Sequence, residues 1–465
     1  MGCSSWRTTS STPTQLKRSN IFTPTNTSQH TQSLYETSSY TTTNMPSKIV
    51  IVGAGFAGVW SALSAQRLIK LRNKEQDIEI LVIAPEPWLT LRPRLYESNA
   101  STMKQSLAPL FKDAGIGFLQ GTVETIDTKS QTVHVRSSDD ESDVHFDRLI
   151  LAAGSAVVRP KSVAGLEQYA FDIDTLAAAT KLEAHLKSLE SLPASKSRDT
   201  VVICGAGFTG IEMATELPNL LKNITNPNIV LVESAPDVGP ELGKGPRPTI
   251  MKALESLGVE LKLGAAVTAA DANGVQLSSG EHIDTMTVIW TAGMHATSLT
   301  QQIPGEKDTL SRLYVDQDLR VSGCENIFAT GDAAHAITDT KGHIALMSCQ
   351  HAQILGRFSG HNAAADLLGE PTIPYSQPGY TTCLDLGPWG AVLAHGWERD
   401  VKMTGKVAKQ VKQYVNRKLI LLPQDAKEAM DAAAPADYSI ESLYKSVFSA
   451  LGWMWSNWES TFGLK

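Results

Sequence analysis

Two glycine-rich runs and a handful of acidic and basic positions carry the chemistry legible in this 465-residue chain. Gly53-Ala54-Gly55-Phe56-Ala57-Gly58 and Gly205-Ala206-Gly207-Phe208-Thr209-Gly210 share the spacing G-x-G-x-x-G. In such a run the first Gly permits a tight bend, the second lets the backbone approach a pyrophosphate, and the third lets helix and strand pack closely. The phosphates then meet unpaired N–H groups and the positive end of a helix dipole. One such run alone is weak, because only a strand before it and a helix after it give it meaning; two in that context point to two bound dinucleotides.

Acids refine this reading. Glu233 stands 23 residues beyond Gly210, where a carboxylate accepts from a ribose 2′-OH and repels a 2′-phosphate, which favours NADH over NADPH. The first copy ends its second strand Val82-Ile83-Ala84, so Glu86 is a displaced substitute, with a solvated loop acid as the alternative. Asp332, in Thr330-Gly331-Asp332, sits beside a Gly that allows close approach, so its carboxylate could hold a ribityl hydroxyl; a plain helix N-cap is the bland reading. Arg92 and Arg94 present planar guanidiniums suited to an acidic substrate or a cofactor pyrophosphate, with solvated surface charge as the alternative.

The elements needed to position these residues are present twice. Lys48–Val52 is a continuous β-branched run of the kind buried in parallel sheets, followed by the first turn, a helix over Val59–Arg72 and a strand over Ile78–Ile83. Thr200–Cys204, the second turn, Ile211–Leu221 and Asn228–Glu233 repeat the order about 150 residues later. Each copy also ends a strand in a small-residue loop, at Ala152-Ala153-Gly154 and Thr291-Ala292-Gly293, and these four residues Ala153, Gly154, Ala292 and Gly293 are expected beside the cofactors. A helix near Leu346–Leu368 should aim its positive end at a flavin ring and favour its anionic reduced form. Alternating segments between Tyr375 and Leu422, broken by Gly and Pro, predict a small antiparallel sheet.

Composition narrows the class. A hydrophobic content of 42% over this length allows two or three cored domains, and a net charge of −7 without a long basic run argues against a nucleic-acid partner. The five cysteines (Cys3, Cys204, Cys324, Cys349, Cys383) share no redox-pair or zinc-knuckle spacing, so no metal site is expected, and Cys204 reads as a core residue. Residues 1–47 are Ser/Thr-rich and reach their first acid at Glu36; a disordered or transit segment, a start at Met45 and acylation at Gly2-Cys3 all stay open, although Trp6 departs from the acylation pattern. No apolar run reaches the roughly 18 residues of a spanning helix, so the expectation is an intracellular protein, cytoplasmic or mitochondrial and not secreted. Near the C-terminus Leu443, Tyr444, Val447, Phe448 and Leu451 fall at helical spacing before Trp453, Trp455 and Trp458, a segment that could lie in a membrane interface or pack on the protein itself or on a dimer partner.

With these motifs in place, residues 48–425 resemble the flavoproteins built from two dinucleotide-binding domains, most closely the type II NADH dehydrogenases and their soluble relatives. The resemblance rests on both glycine runs, Gly205–Glu212, Val288–Gly293, Thr330-Gly331-Asp332 and Val415–Ile420. It implies FAD on the first run, NADH on the second, and Glu212 near both rings; a first-turn acid complementing the helix dipole is the alternative for Glu212. The family's disulfide-reducing branch needs a Cys pair that Tyr96–Leu110 lacks, so electrons should leave directly from the flavin. The quinone motif of the type II enzymes survives as Gln350, but the pair before Gly356 is Ile354-Leu355.

The expected fold class is α/β, with two Rossmann-like nucleotide-binding domains, the second inserted in the first, plus a small C-terminal antiparallel β/α region. The expected segments are 1–47 disordered or targeting, 48–160 and 301–370 for FAD, 161–300 for NAD, and 371–465 as the C-terminal region. The expected activity is hydride transfer from NADH to FAD, then electron transfer to a small-molecule acceptor, a quinone or quinone-like compound. A small redox protein or a biosynthetic intermediate is the alternative acceptor. An NADH-sensing flavoprotein of the apoptosis-inducing-factor type is the reading from another class.

Overall fold

The computed structural model describes residues 45–436 apart from 139, together with 449 and 452. The expectations for the N-terminal 1–44 and for the C-terminal Trp-rich segment lie outside the described residues.

The chain opens with β1 (Ser47–Val52), α1 (Phe56–Leu71), β2 (Ile78–Ala84), β3 (Gly117–Gln120) and β4 (Arg148–Leu151). It continues through β5 (Ala170–Phe171), β6 (Thr200–Cys204), α2 (Phe208–Leu220), β7 (Asn228–Glu233), β8 (Val259–Leu263) and β9 (Thr287–Trp290). After β10 (Ile327–Ala329) come α3 (Cys349–Leu368), β11 (Thr381–Asp385), β12 (Ala391–His395), β13 (Asp400–Thr404) and α4 (Gly405–Tyr414).

Two parallel sheets result, in the orders β10-β4-β1-β2-β3 and β5-β9-β6-β7-β8. The edge strand β10 of the first sheet arrives only after the whole second sheet has been made. The chain therefore leaves the first fold, completes the second, and returns. Both glycine turns follow the central strand of their sheet and open the helix that crosses to the next strand, the location where parallel α/β sheets hold ligands.

Strands buried on both faces explain the β-branched runs. Ile49 and Ile51 pack toward α1 with Val59 and Leu63, while Val50 and Val52 pack with Val123, Val133 and Val135 of an antiparallel meander on the other face. The second fold repeats this: Val201 and Ile203 face α2, and Val202 and Cys204 face a second meander carrying Val267 and Val275. Cys204 is thus a core residue whose thiol burial pushes up to about 12, in line with its reading from the sequence.

In the first fold α1 is covered on nearly every side and packs along α3. A Cβ on Gly356 would overlap the Ala57 carbonyl, and one on Gly360 the Ser61 carbonyl, so these two glycines set the close approach of the two helices. Ser348 caps α3 by accepting from His351 N–H at 3.3 Å, and Gly369, at φ +68°, ends it. The helix begins three residues later than the sequence suggested because Ser348 is its cap.

The C-terminal antiparallel sheet forms as expected, in the order β11-β12-β13, with α4 packed against it. It brings one face against the α2 end of the second fold: Gly387, just after β11, touches the Thr215 carbonyl.

Candidate functional site

A cavity of about 1650 Å³ runs from the first glycine turn past the second to the C-terminal sheet. It exceeds the several hundred Å³ usual for one small ligand, in keeping with more than one bound molecule. Both turns share a single backbone design. Gly53 (φ +109°) and Gly205 (φ +106°) donate to Ile83 O and Val232 O, each at 2.8 Å, which bends the chain off its strand. A Cβ on Gly53 would overlap the Ala152 carbonyl, and Gly58 and Gly210 press on the carbonyls of Gly53 and Gly205, so these positions serve packing. Gly55 faces open space, and Ala54, Phe56 and Ala57 join it on the cavity wall, as do Ala153, Gly154, Gly207, Thr209, Ala292 and Gly293.

The first turn is flanked by groups able to meet the hydroxyls of a ligand. Asp332 and Gly331 lie on the cavity wall, where Asp332 Oδ2 accepts from Ser155 Oγ at 2.6 Å with Arg92 Nη1 3.7 Å away. Burial raises the Asp332 carboxyl above its ordinary value, against the pull of Ser155 and Arg92. Thr330 Oγ1, on the same wall, is buried without a hydrogen-bond partner among the described residues, an orphan that a ligand hydroxyl would satisfy. Glu86 is exposed at the cavity rim. Cys349 and Gln350, the first residues of α3, also line the cavity.

The pair Arg92 and Arg94 divides. Arg92 lines the cavity, donates to Ser155 Oγ at 2.9 Å and ion-pairs Asp174. Arg94 does not line it: its guanidinium closes on Glu97 of the same turn at 2.8 Å, and Asn416 holds the other side of that carboxylate. Arg94, expected beside a cofactor, is thus turned onto Glu97 away from the cavity, and Arg92 lines the cavity already paired with Asp174.

At the second turn two carboxylates occupy the backbone donors. Glu233 Oε2 accepts from Ala206 N–H at 2.7 Å, and Glu241 Oε1 accepts from Phe208 N–H at 3.2 Å. The sequence reading did not single out Glu241; it stands in Gly239-Pro240-Glu241-Leu242-Gly243, a loop whose two glycines have positive φ.

Glu212, in the first turns of α2, is buried on the cavity wall. Its Oε1 accepts from Lys412 Nζ at 2.8 Å and from Asp385 N–H at 2.9 Å. Asp385 in turn accepts from Tyr96 Oη at 2.9 Å and pairs with Lys409. Burial lifts the Glu212 carboxyl to about 7, with Lys412 opposing. Burial also works to lower Lys412, but the carboxylates beside it prevail and hold it above its ordinary value, as an ammonium. Burial, with the acids around it, keeps the Tyr96 hydroxyl protonated. This gives a carboxyl able to change protonation near neutral pH beside a permanent cation, the requirement for general acid–base work.

Lys412 was missed in the sequence. The signal was its position on the stripe Ala408, Val411, Val415, where a lysine on an apolar helix face needs a buried partner. Gln350 Oε1 accepts from Thr381 N–H at 3.3 Å, which joins α3 to β11. The cavity thiols are poor nucleophiles: burial pushes Cys349 up to about 11 and Cys383 up to about 12. Among the described residues no group of three or more acidic, His or Cys side chains could hold a metal ion, and no helix is long and apolar enough to cross a membrane.

Residues 47–356 match the family model described as pyridine nucleotide-disulphide oxidoreductase. An NADH dehydrogenase-like protein of Mycobacterium tuberculosis is 40% identical over 397 residues, covering 83% of this chain and 98% of the relative. A demethylphylloquinone reductase of Synechocystis is 29% identical over 373 residues, covering 78% and 89%. The solved NDH2 of Plasmodium falciparum in complex with NADH shares the fold, with a TM-score of 0.65 at 15% identity over 83% of this chain and 97% of that one. The chain belongs to the pyridine nucleotide-disulphide oxidoreductase family and is an oxidoreductase.

Proposed function

We propose that the protein oxidises NADH through FAD bound at the first glycine turn and passes the electrons to a quinone or quinone-like small molecule. The observation that carries this reading is the single cavity that joins the Asp332 wall, the second glycine turn and the Glu212–Lys412 pair. When bound, FAD supplies a relay that accepts two electrons as hydride and releases them to a second substrate.

The chain's own residues position and exchange protons. Gly53 to Ala57 and Asp332 hold the flavin dinucleotide, with Ala153 and Gly154 beside it. Gly205, Gly207, Thr209, Ala292 and Gly293 hold the nicotinamide dinucleotide, and Glu233, at the end of β7, favours the free 2′-OH of NADH over the phosphate of NADPH. Glu212 exchanges one proton at its carboxyl, and Lys412 keeps that carboxyl from rising out of the neutral range. A quinone needs two protons with its two electrons; NADH brings one with the hydride and Glu212 relays the other from water. Neither cavity cysteine enters this scheme, because both thiols stay protonated at neutral pH. The relatives named for NADH and quinone chemistry support the reading.

Anaerobic mixing of the flavin-loaded protein with NADH, then with a soluble quinone, tests it. Bleaching of the flavin band by NADH and its rapid return on quinone addition are expected. Bleaching without return would remove quinone as the acceptor, and no bleaching would remove the hydride step.

A further inference from the structure

Four arginines line the cavity: Arg92, Arg312, Arg357 and Arg399. Arg92 pairs with Asp174 and Arg312 with Asp308, whereas no carboxylate of the described residues lies within 4.0 Å of Arg357 or Arg399. Arg357 stacks on Trp60 of α1 at 4.3 Å, on the α1–α3 side of the cavity, with its Nε buried and without a partner among the described residues. Arg399 stands on the opposite side, at the C-terminal sheet. It is 8% exposed, the only hydrogen-bond partner of its guanidinium among the described residues is the neutral Thr382 Oγ1, and it lies 4.8 Å over the Tyr380 ring. Among the described residues this guanidinium thus meets a hydroxyl and a ring but no carboxylate, which leaves its charge to be met by a ligand.

The surroundings hold that cation in place. Arg399 ends the hairpin turn between β12 and β13 in a left-handed conformation, φ +58°, which a non-glycine residue adopts at a cost. A Cβ on Gly245 would come 2.6 Å from its carbonyl oxygen, so the loop after β7 leaves it no room to retreat. Tyr380 is backed by His351, stacked at 4.7 Å, and by Trp397, at 5.9 Å. Burial, with Arg399 and Arg312 adding, pushes His351 down to about 3, so the layer behind Tyr380 is neutral. On the cavity side Tyr380, Thr381 and Thr382 run along β11 to the Gln350 contact at the start of α3. An aromatic face thus stands next to a fixed cation that no carboxylate of the described residues pairs, between the N-terminal end of α3 and the second fold.

We propose that Arg399 is the recognition point for an anionic group on the electron acceptor, so that the acceptor class is a quinone whose ring carries a carboxylate or sulfonate. The inference rests on the acceptor reading given above. The overall balance is NADH, one proton and the quinone giving NAD⁺ and the hydroquinone; the anionic group is bound and takes no part in the bond changes. The NADH diphosphate is the less fitting anion, because its place is the α2 N-terminus, and both of Arg399's side-chain partners are on or beside β11.

The test uses the flavin-loaded full-length enzyme, with menadione as neutral acceptor and 1,4-naphthoquinone-2-sulfonate as anionic acceptor, in wild type, Arg399→Gln and Arg399→Lys. Comparing each variant with wild type cancels the intrinsic reactivity of the two quinones. Arg399→Gln should lower kcat/KM for the sulfonate by about tenfold or more, with less than about a twofold change for menadione and in the KM for NADH, and Arg399→Lys should restore most of it. Equal losses on both quinones, no loss on either, or a rise confined to the KM for NADH would overturn the proposal. Should Arg399→Gln not fold, competitive inhibition of wild type by 2-naphthoate but not by 2-naphthalenemethanol is the expected result, and equal inhibition by both overturns it. A wild-type flavin that NADH does not bleach would instead sink the reading on which the inference rests, and that outcome is seen before any acceptor is added.

Discussion

At the first glycine turn Gly55 faces open space and no acid closes the second strand, whereas at the second turn Glu233 and Glu241 already hold the N–H groups of Ala206 and Phe208. The backbones are otherwise alike, with Gly53 and Gly205 within 3° of one another in φ. The helices differ too: α1 is buried along most of its length under α3, while α2 buries a narrower set of residues and offers Glu212 to the cavity. A tightly enclosed, uncontested turn suits a dinucleotide that stays. A turn whose donors are held by side-chain carboxylates suits one that comes and goes, since the carboxylates satisfy the donors between visits.

The largest expected effect breaks this comparison at its base. Gly53→Ala would place a Cβ on the Ala152 carbonyl in a left-handed residue and should cost about 3 kcal/mol, read as a lower thermal midpoint and flavin lost on purification. Gly205→Ala meets its nearest atoms at 3.0 Å and should keep the flavin while raising the KM for NADH. Equal flavin loss in both variants would erase the assignment of one dinucleotide to each turn.

Glu212→Gln comes next. A general acid–base group of this kind contributes on the order of 10²-fold, so kcat should fall by about that factor and lose its inflection near pH 7. The sign for stability follows from the raised carboxyl. Between its ordinary value of 4.5 and about 7 the folded protein holds a proton that the unfolded chain has released, so this group makes stability fall as pH rises through that window. The thermal midpoint of Glu212→Gln should therefore fall less steeply across that window than that of wild type; an unchanged slope would show that Glu212 does not titrate there.

Two smaller effects sharpen the second turn. Glu233→Ser should improve kcat/KM for NADPH relative to NADH by about tenfold, because the 2′-phosphate no longer meets a carboxylate. Glu241→Gln weakens the competitor on Phe208 N–H and should lower the KM for NADH by about threefold, with kcat unchanged. A higher KM in that variant would mean that Glu241 binds the nucleotide instead of competing with it.

What the sequence disclosed follows from range. Each glycine run, its strand, its helix and Glu233 lie within about 35 residues, so local spacing reports them, and β-branched runs report strands buried on both faces. Arg92 and Arg94 illustrate the limit. Their proximity in sequence suggested a common role, but Arg92 finds Asp174, 82 residues away, while Arg94 turns back on Glu97. Glu212 likewise takes its second partner 173 residues downstream, and Lys412 and Arg399 enter the cavity only because β11 to α4 fold back onto α2. Gln350, placed through the quinone motif, lies on the cavity wall, yet its hydrogen bond with Thr381 is a contact no motif contains.

The most direct measurement is flavin content together with the rate of flavin bleaching by NADH, made on wild type and on Gly205→Val, which blocks the second turn alone. Stoichiometric flavin in both proteins, with bleaching fast in wild type and lost in Gly205→Val until NADH is raised far above its wild-type KM, is the predicted result. Flavin missing from Gly205→Val while the remaining holoprotein still bleaches normally would contradict it, because the two dinucleotides would then have exchanged places.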